Sequence, residues 1–94
     1  MDLTAFQELM ARTYGERDTK RGQVATVAWL AEETGELARA VRKGNAEEQL
    51  HELGDVLAWL ASLANQLGLS LDDAAARYAS GCPVCGAAPC NCRA

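Results

Sequence analysis

The 94-residue chain has room for one domain, and its 49 % hydrophobic and 23 % charged content is that of a globular protein. A formal charge of −4 and a pI near 4.8, with no basic stripe interleaved with aromatics, exclude a nucleic-acid scaffold. No apolar run approaches the roughly eighteen residues of a membrane span, and Met1-Asp2-Leu3-Thr4 has neither a basic nor an apolar leader region, so a soluble, cytoplasmic protein without membrane contact is expected.

Thr4 with Gln7 three residues on reads as a capping box, and Phe6, Leu9, Met10 and Tyr14 keep helical spacing as far as Gly15. The polar run from Gly15 to Thr19 reads as a loop. Val24, Val27, Leu30, Leu37 and Val41 then mark a second helix of about 20 residues, closed by Lys43 and a Gly44 suited to a left-handed cap. A third helix begins at Ala46, carries Leu50, Leu53, Val56, Leu57, Leu60, Leu63 and Leu67, and stops at Gly68. Ser70 with Asp73 is a further capping box, opening a short fourth helix through Tyr78. Strand-like alternation is absent, which predicts an all-α fold. So small a chain buries only roughly 60 to 65 % of its unfolded surface, so association of subunits is expected.

Two runs on the second and third helices are near copies: Glu33-Thr34-Gly35-Glu36-Leu37 and Glu52-Leu53-Gly54-Asp55-Val56. Acids three apart share a helix face. Projected at about 100° per residue, with Glu33 or Glu52 at zero, Glu36 and Asp55 both fall near −60° and the apolar stripes near 20 to 80°. Packing the stripes together therefore gathers four carboxylates along one edge of the core. Crowded carboxylates beside apolar surface cannot be satisfied by bulk water, and a hard divalent cation with oxygen ligands would satisfy them. Gly35 and Gly54 each weaken their helix by about 1 kcal/mol relative to alanine, which close backbone approach would justify.

Glu32-Glu33-Thr34-Gly35-Glu36, then fifteen residues, then Glu52-Leu53-Gly54-Asp55 resembles the E-E-x-x-E, spacer, E-x-x-D signature of MazG-like nucleotide pyrophosphohydrolases, in the all-α NTP pyrophosphatase superfamily. The similarity runs over residues 21 to 78. It implies a magnesium-dependent enzyme, with manganese able to substitute, cleaving nucleoside triphosphates between the α and β phosphates to a monophosphate and pyrophosphate. Non-standard or surplus nucleotides would be its targets. By position, Glu33, Glu36, Glu52 and Asp55 would hold the metal, and Glu32 would hold a second ion or orient the attacking water. The resemblance also implies helical hairpins from two subunits forming a four-helix core, as a homodimer or dimer of dimers. A phosphoribosyl-ATP pyrophosphohydrolase-like enzyme would share the acidic site, and a non-catalytic helical interaction module is the alternative outside enzymes.

Arg39 and Lys43 lie on the side of the second helix that carries Glu32 and Glu36, where they could hold phosphates or pair with those acids. Arg17, Lys20 and Arg21 form a basic cluster ahead of that helix, able to steer a triphosphate or simply to be solvated. Trp29 and Trp59 project close to the acids and would either stack on a nucleobase or pack across a subunit contact. His51 projects away from the stripe and is given no catalytic role; Asn65 sits on a helix flank.

All four cysteines fall near the end, as Cys82-Pro83-Val84-Cys85-Gly86 and Cys90-Asn91-Cys92. The first is a knuckle of the zinc-ribbon kind, in which Gly86 permits a positive φ. Zinc held structurally by four thiolates is expected, with disulfides, an iron–sulfur cluster and free thiols as the other readings. The domain division is therefore residues 1–80 for the helical domain and 81–94 for the cysteine tail.

Overall fold

A computed structural model describes residues 1–93; Ala94, the last residue of the expected cysteine tail, lies outside the described residues. Four helices follow in order, α1 (Leu3–Arg21), α2 (Gln23–Lys43), α3 (Ala46–Leu67) and α4 (Leu71–Ala76), and no strand occurs among the described residues. α2 packs along α3 as a hairpin, α1 lies chiefly against α3, and α4 touches α1. No helix among the described residues is long and apolar enough to cross a membrane.

α1 departs from its expected form at both ends. Its cap is Asp2, in extended conformation, whose Oδ1 accepts from the Ala5 N–H at 2.8 Å, and not Thr4. Gln7 is thereby released from capping: its amide donates to Asn65 Oδ1 at 3.0 Å and the Leu69 carbonyl at 2.7 Å, and accepts from the Leu71 N–H at 2.8 Å. Asn65, unremarkable in sequence, donates back to the Gln7 carbonyl at 3.1 Å. Nor do residues 15 to 19 form a loop, since α1 continues to Arg21. A single mid-helix glycine costs only about 1 kcal/mol, and the last turns have much to hold them. Asp18 is buried, its carboxylate meets Arg21 Nη1 at 2.6 Å, and its carbonyl accepts from the Gln66 amide at 2.6 Å.

Gly22 alone joins α1 to α2; its φ of 85° is open to glycine and strained for other residues. At the other end of α2, Gly44 is not the expected left-handed cap. Its φ is −97°, and glycine is needed there for space, because a Cβ would sit 2.7 Å from Glu48 Oε2 and 2.8 Å from the Ala40 carbonyl oxygen. Asn45 caps α3 by accepting from the Glu48 N–H at 2.9 Å, and Gly68 ends α3 in the left-handed region at φ 68°. Ser70 caps α4 through the Asp73 N–H at 3.1 Å, as its motif predicts, but the helix stops at Ala76, short of Tyr78.

The core is built from small residues. Ala40, Ala61 and Ala64 are its buried apolar members, with Asp18, Thr26 and Ser62 beside them, and Thr26 is the largest side chain less than 2 % exposed. The apolar residues expected to pack inside one chain are divided instead: Leu30, Leu37, Val56 and Leu63 are half-buried, while Val24, Val27, Val41, Leu50, Leu53, Leu57 and Leu60 are exposed.

Candidate active site

The register of the α2–α3 hairpin is tied at two levels. Trp29 and Trp59 stack nearly parallel, with ring centroids 5.7 Å apart and an interplanar angle of 10°, and the Gln49 amide donates to the Ala40 carbonyl at 3.2 Å. Glu33 and Glu36 on α2 and Asp55 and Glu52 on α3 lie between these ties. Glu33 is one helical turn from Trp29, and Asp55 one turn from Trp59. A single antiparallel packing thus brings both acid pairs to one level of the hairpin.

The Glu33 carboxyl is held above its usual range, first by withdrawal from water, then by the negative charges of Asp55, Glu52 and Glu36, and by a hydrogen bond to Glu52 that favours its protonated form. Glu52 Oε2 is buried with no hydrogen-bond partner. A buried carboxylate oxygen without a donor is costly, and no cationic side chain of the chain forms an ion pair with Glu33, Glu36 or Glu52 among the described residues. The orphaned Glu52 oxygen fits a hard divalent cation, and of the four acids Glu52 and Asp55, with His51, bring ligand atoms within 4.8 Å of one another.

Next to these acids, a cleft of about 500 Å³ opens toward the α2–α3 turn. Glu36, Glu52 and His51 line it together with Arg39 and Lys43, and Glu47 and Glu48 line it as well. The cleft therefore carries both signs of charge along its length, with exposed Arg39 and Lys43 on α2 and exposed Glu47 and Glu48 on α3 at its turn end.

Not every expected residue gathers there. Glu32 is exposed, and neither it nor Glu33 nor Asp55 lines the cleft. Lys20 is exposed in the last turn of α1, while Arg21 is engaged with Asp18 and lies over the Trp59 ring at 4.6 Å, beyond the tryptophan pair from the acids. Nothing in the chain lies within 4 Å of a Cβ built on Gly35 or Gly54, so close approach within the chain does not explain these glycines. Two residues went unrecognised in the sequence. His51 is exposed, yet its Nε2 stands 3.3 Å from Asp55 Oδ2, and ligand atoms of His51, Glu52 and Asp55 lie within 4.8 Å of one another. The i, i+4 spacing of His51 and Asp55 was the available signal. Asp18 carried none, because its burial depends on α1 crossing α3.

In the tail, the four sulfurs converge to within 4.8 Å of one another. Gly86 has a φ of 73°, the left-handed conformation expected of it. The Asn91 N–H, with that of Ala87, points at the Cys85 sulfur and lowers its pKa to about 6.

Residues 21–80 match the family model of the MazG nucleotide pyrophosphohydrolase domain. A relative, the uncharacterized protein YvdC of Bacillus subtilis (strain 168), is 36 % identical over 90 residues, covering 78 % of this chain and 85 % of that protein.

Proposed function

The chain belongs to the MazG nucleotide pyrophosphohydrolase family, and we propose that it hydrolyses nucleoside triphosphates to monophosphate and pyrophosphate with magnesium, clearing non-standard or surplus nucleotides from the cytoplasm. The observation that carries this reading is the cleft in which Glu36 and the unpartnered Glu52 share walls with Arg39 and Lys43.

Glu33, Glu36, Glu52 and Asp55 would hold magnesium, or manganese in its place, which when bound neutralises phosphate charge and makes a bound water more acidic. The chain's own residues supply the positioning. Order along the hairpin runs from the tryptophan pair through the acids to Arg39 and Lys43, so a triphosphate lying along it presents its α phosphorus to the carboxylates. Arg39 and Lys43 meet the β and γ phosphates and stabilise the departing pyrophosphate. Trp29, half-exposed on the far side, offers its ring to the nucleobase, and Trp59 with Arg21 holds that ring flat. His51 orients the Asp55 carboxylate. Residues 1–80 form the catalytic unit, and the exposed apolar stripes pair with those of a second subunit, in a homodimer or dimer of dimers.

A panel of standard and modified triphosphates with magnesium, assayed for pyrophosphate, tests the reading. Release from at least one substrate is expected, reduced roughly 10²- to 10³-fold in Glu52→Gln, the scale of losing one preorganised electrostatic group. No release from any substrate, with Glu52→Gln indistinguishable from wild type, would overturn it.

A further inference from the structure

Beyond the region matched by the family model, which ends at residue 80, the chain carries a second constellation that the hydrolase reading does not use. We propose that Cys82, Cys85, Cys90 and Cys92 form a closed tetrathiolate zinc site that folds the C-terminal segment.

Geometry is the first support. Cys82 Sγ lies 3.6 Å from Cys92 Sγ, Cys85 Sγ lies 3.9 Å from Cys90 Sγ, and all four sulfurs fall within 4.8 Å of one another. With a Zn–S bond of about 2.3 Å, the corners of a tetrahedral tetrathiolate stand about 3.8 Å apart. Two disulfides would bond the sulfurs in pairs and would not require the pairs to meet.

The backbone is arranged around the same point. The Gly86 N–H donates to the Cys82 carbonyl at 2.6 Å and the Cys82 N–H to the Ala87 carbonyl at 2.9 Å, closing the turn between the first two thiols. Gly81, at φ 107°, leaves room that a Cβ would take, only 2.7 Å from the Ala87 oxygen. The Asn91 N–H reaches Cys85 Sγ at 3.2 Å and the Cys92 N–H reaches Cys90 Sγ at 3.3 Å, which are the donors that thiolate ligands require.

Apolar packing does not hold this segment. It contains neither helix nor strand among the described residues, and its one large aliphatic residue, Val84, is 80 % exposed. The convergence of the cysteines is therefore what orders it, and metal binding is its folding energy. Soft thiolates select zinc over magnesium, so the acidic cleft and the tail load different ions. Binding is not a redox step: one Zn²⁺ displaces four thiol protons, giving a centre of charge −2. Four thiolates leave no open coordination position, so the site is structural and takes no part in hydrolysis.

The test uses the full chain purified without chelator and under reductant, with metal content measured alongside cobalt substitution. One equivalent of zinc per chain is expected, and Co²⁺ should give thiolate-to-cobalt charge transfer with the intense d–d bands of a tetrahedral site. Cys85→Ser/Cys90→Ser should lose both signatures while retaining the wild-type helical circular dichroism and pyrophosphate release. Zinc below about half an equivalent without the cobalt signature, stoichiometric iron, or, in a parallel preparation without reductant, thiols that react only after reduction would each overturn the proposal. None of these outcomes bears on the acidic cleft, whose own assay is pyrophosphate release.

Discussion

Glu33 is the residue at which the site's chemistry is written into stability. Its carboxyl is raised above the ordinary value by withdrawal from water and by Asp55, Glu52 and Glu36. The folded, metal-free chain therefore binds this proton more tightly than the unfolded chain does. Its contribution is fully present below the unfolded-state pKa and is lost as pH rises through the folded-state value. Without divalent metal, the stability difference between wild type and Glu33→Gln should thus widen in the variant's favour from about pH 4 to 7, across the carboxylate range. Magnesium reverses the local field, so millimolar MgCl₂ should raise the wild-type Tm at neutral pH and leave Glu33→Gln almost unmoved. Thermal melts at both pH values, with and without magnesium, read this directly. A metal-free Glu33→Gln variant melting below wild type at pH 7 would show that the carboxylate is satisfied by something other than a cation.

At the scale of elements, glycines that look alike in sequence carry opposite expectations. A Cβ at Gly44 would meet the α2 backbone at Ala40, with the carbonyl oxygen at 2.8 Å and Cα at 3.1 Å, so Gly44→Ala should destabilise by about 1–3 kcal/mol and spread the hairpin turn. Gly15 lies within α1 with nothing within 4 Å, so Gly15→Ala should stabilise by about 1 kcal/mol. Denaturant titrations of the two variants should therefore move their midpoints in opposite directions. The same contrast shows what was legible beforehand. Periodicity and the Ser70 cap located α2, α3 and α4 well, because both are local properties of a helix. The continuation of α1 through Gly15, the burial of Asp18, the role of Gln7 and the stacking of Trp29 on Trp59 depend on which helix crosses which. Such contacts leave no mark in the spacing of a single segment. Trp29 and Trp59 could be placed near the acids from phase alone, but their meeting required the hairpin register.

The molecule as a whole exposes apolar side chains in a regular pattern on α2 and α3, which is the observation behind the proposed pairing of subunits. Leu50, Leu53, Leu57 and Leu60 recur at three- and four-residue steps on α3 and are 72, 54, 39 and 40 % exposed; Val24, Val27 and Val41 on α2 are 87, 50 and 64 % exposed. Measured from Glu33 and Glu52, these stripes lie at about 80 to 180°, whereas the second acids of each pair lie near −60°. Antiparallel helices packed through equivalent phases are related by a local two-fold axis, so both stripes emerge on one side of the hairpin and the acids toward the other. A second subunit can then cover the apolar side while leaving the cleft open. A stable interface between subunits buries about 800 Å² on each partner. Light scattering should give a mass that is a multiple of 10.0 kDa, and the melting temperature should rise with protein concentration. Leu53→Glu should shift the mass toward 10.0 kDa and lower the melting temperature, because an unpaired carboxylate would be buried at the centre of the pairing. A wild-type chain that stays at 10.0 kDa, with melting independent of concentration, would leave this face without a partner of its own kind and remove the subunit pairing from the reading of the site.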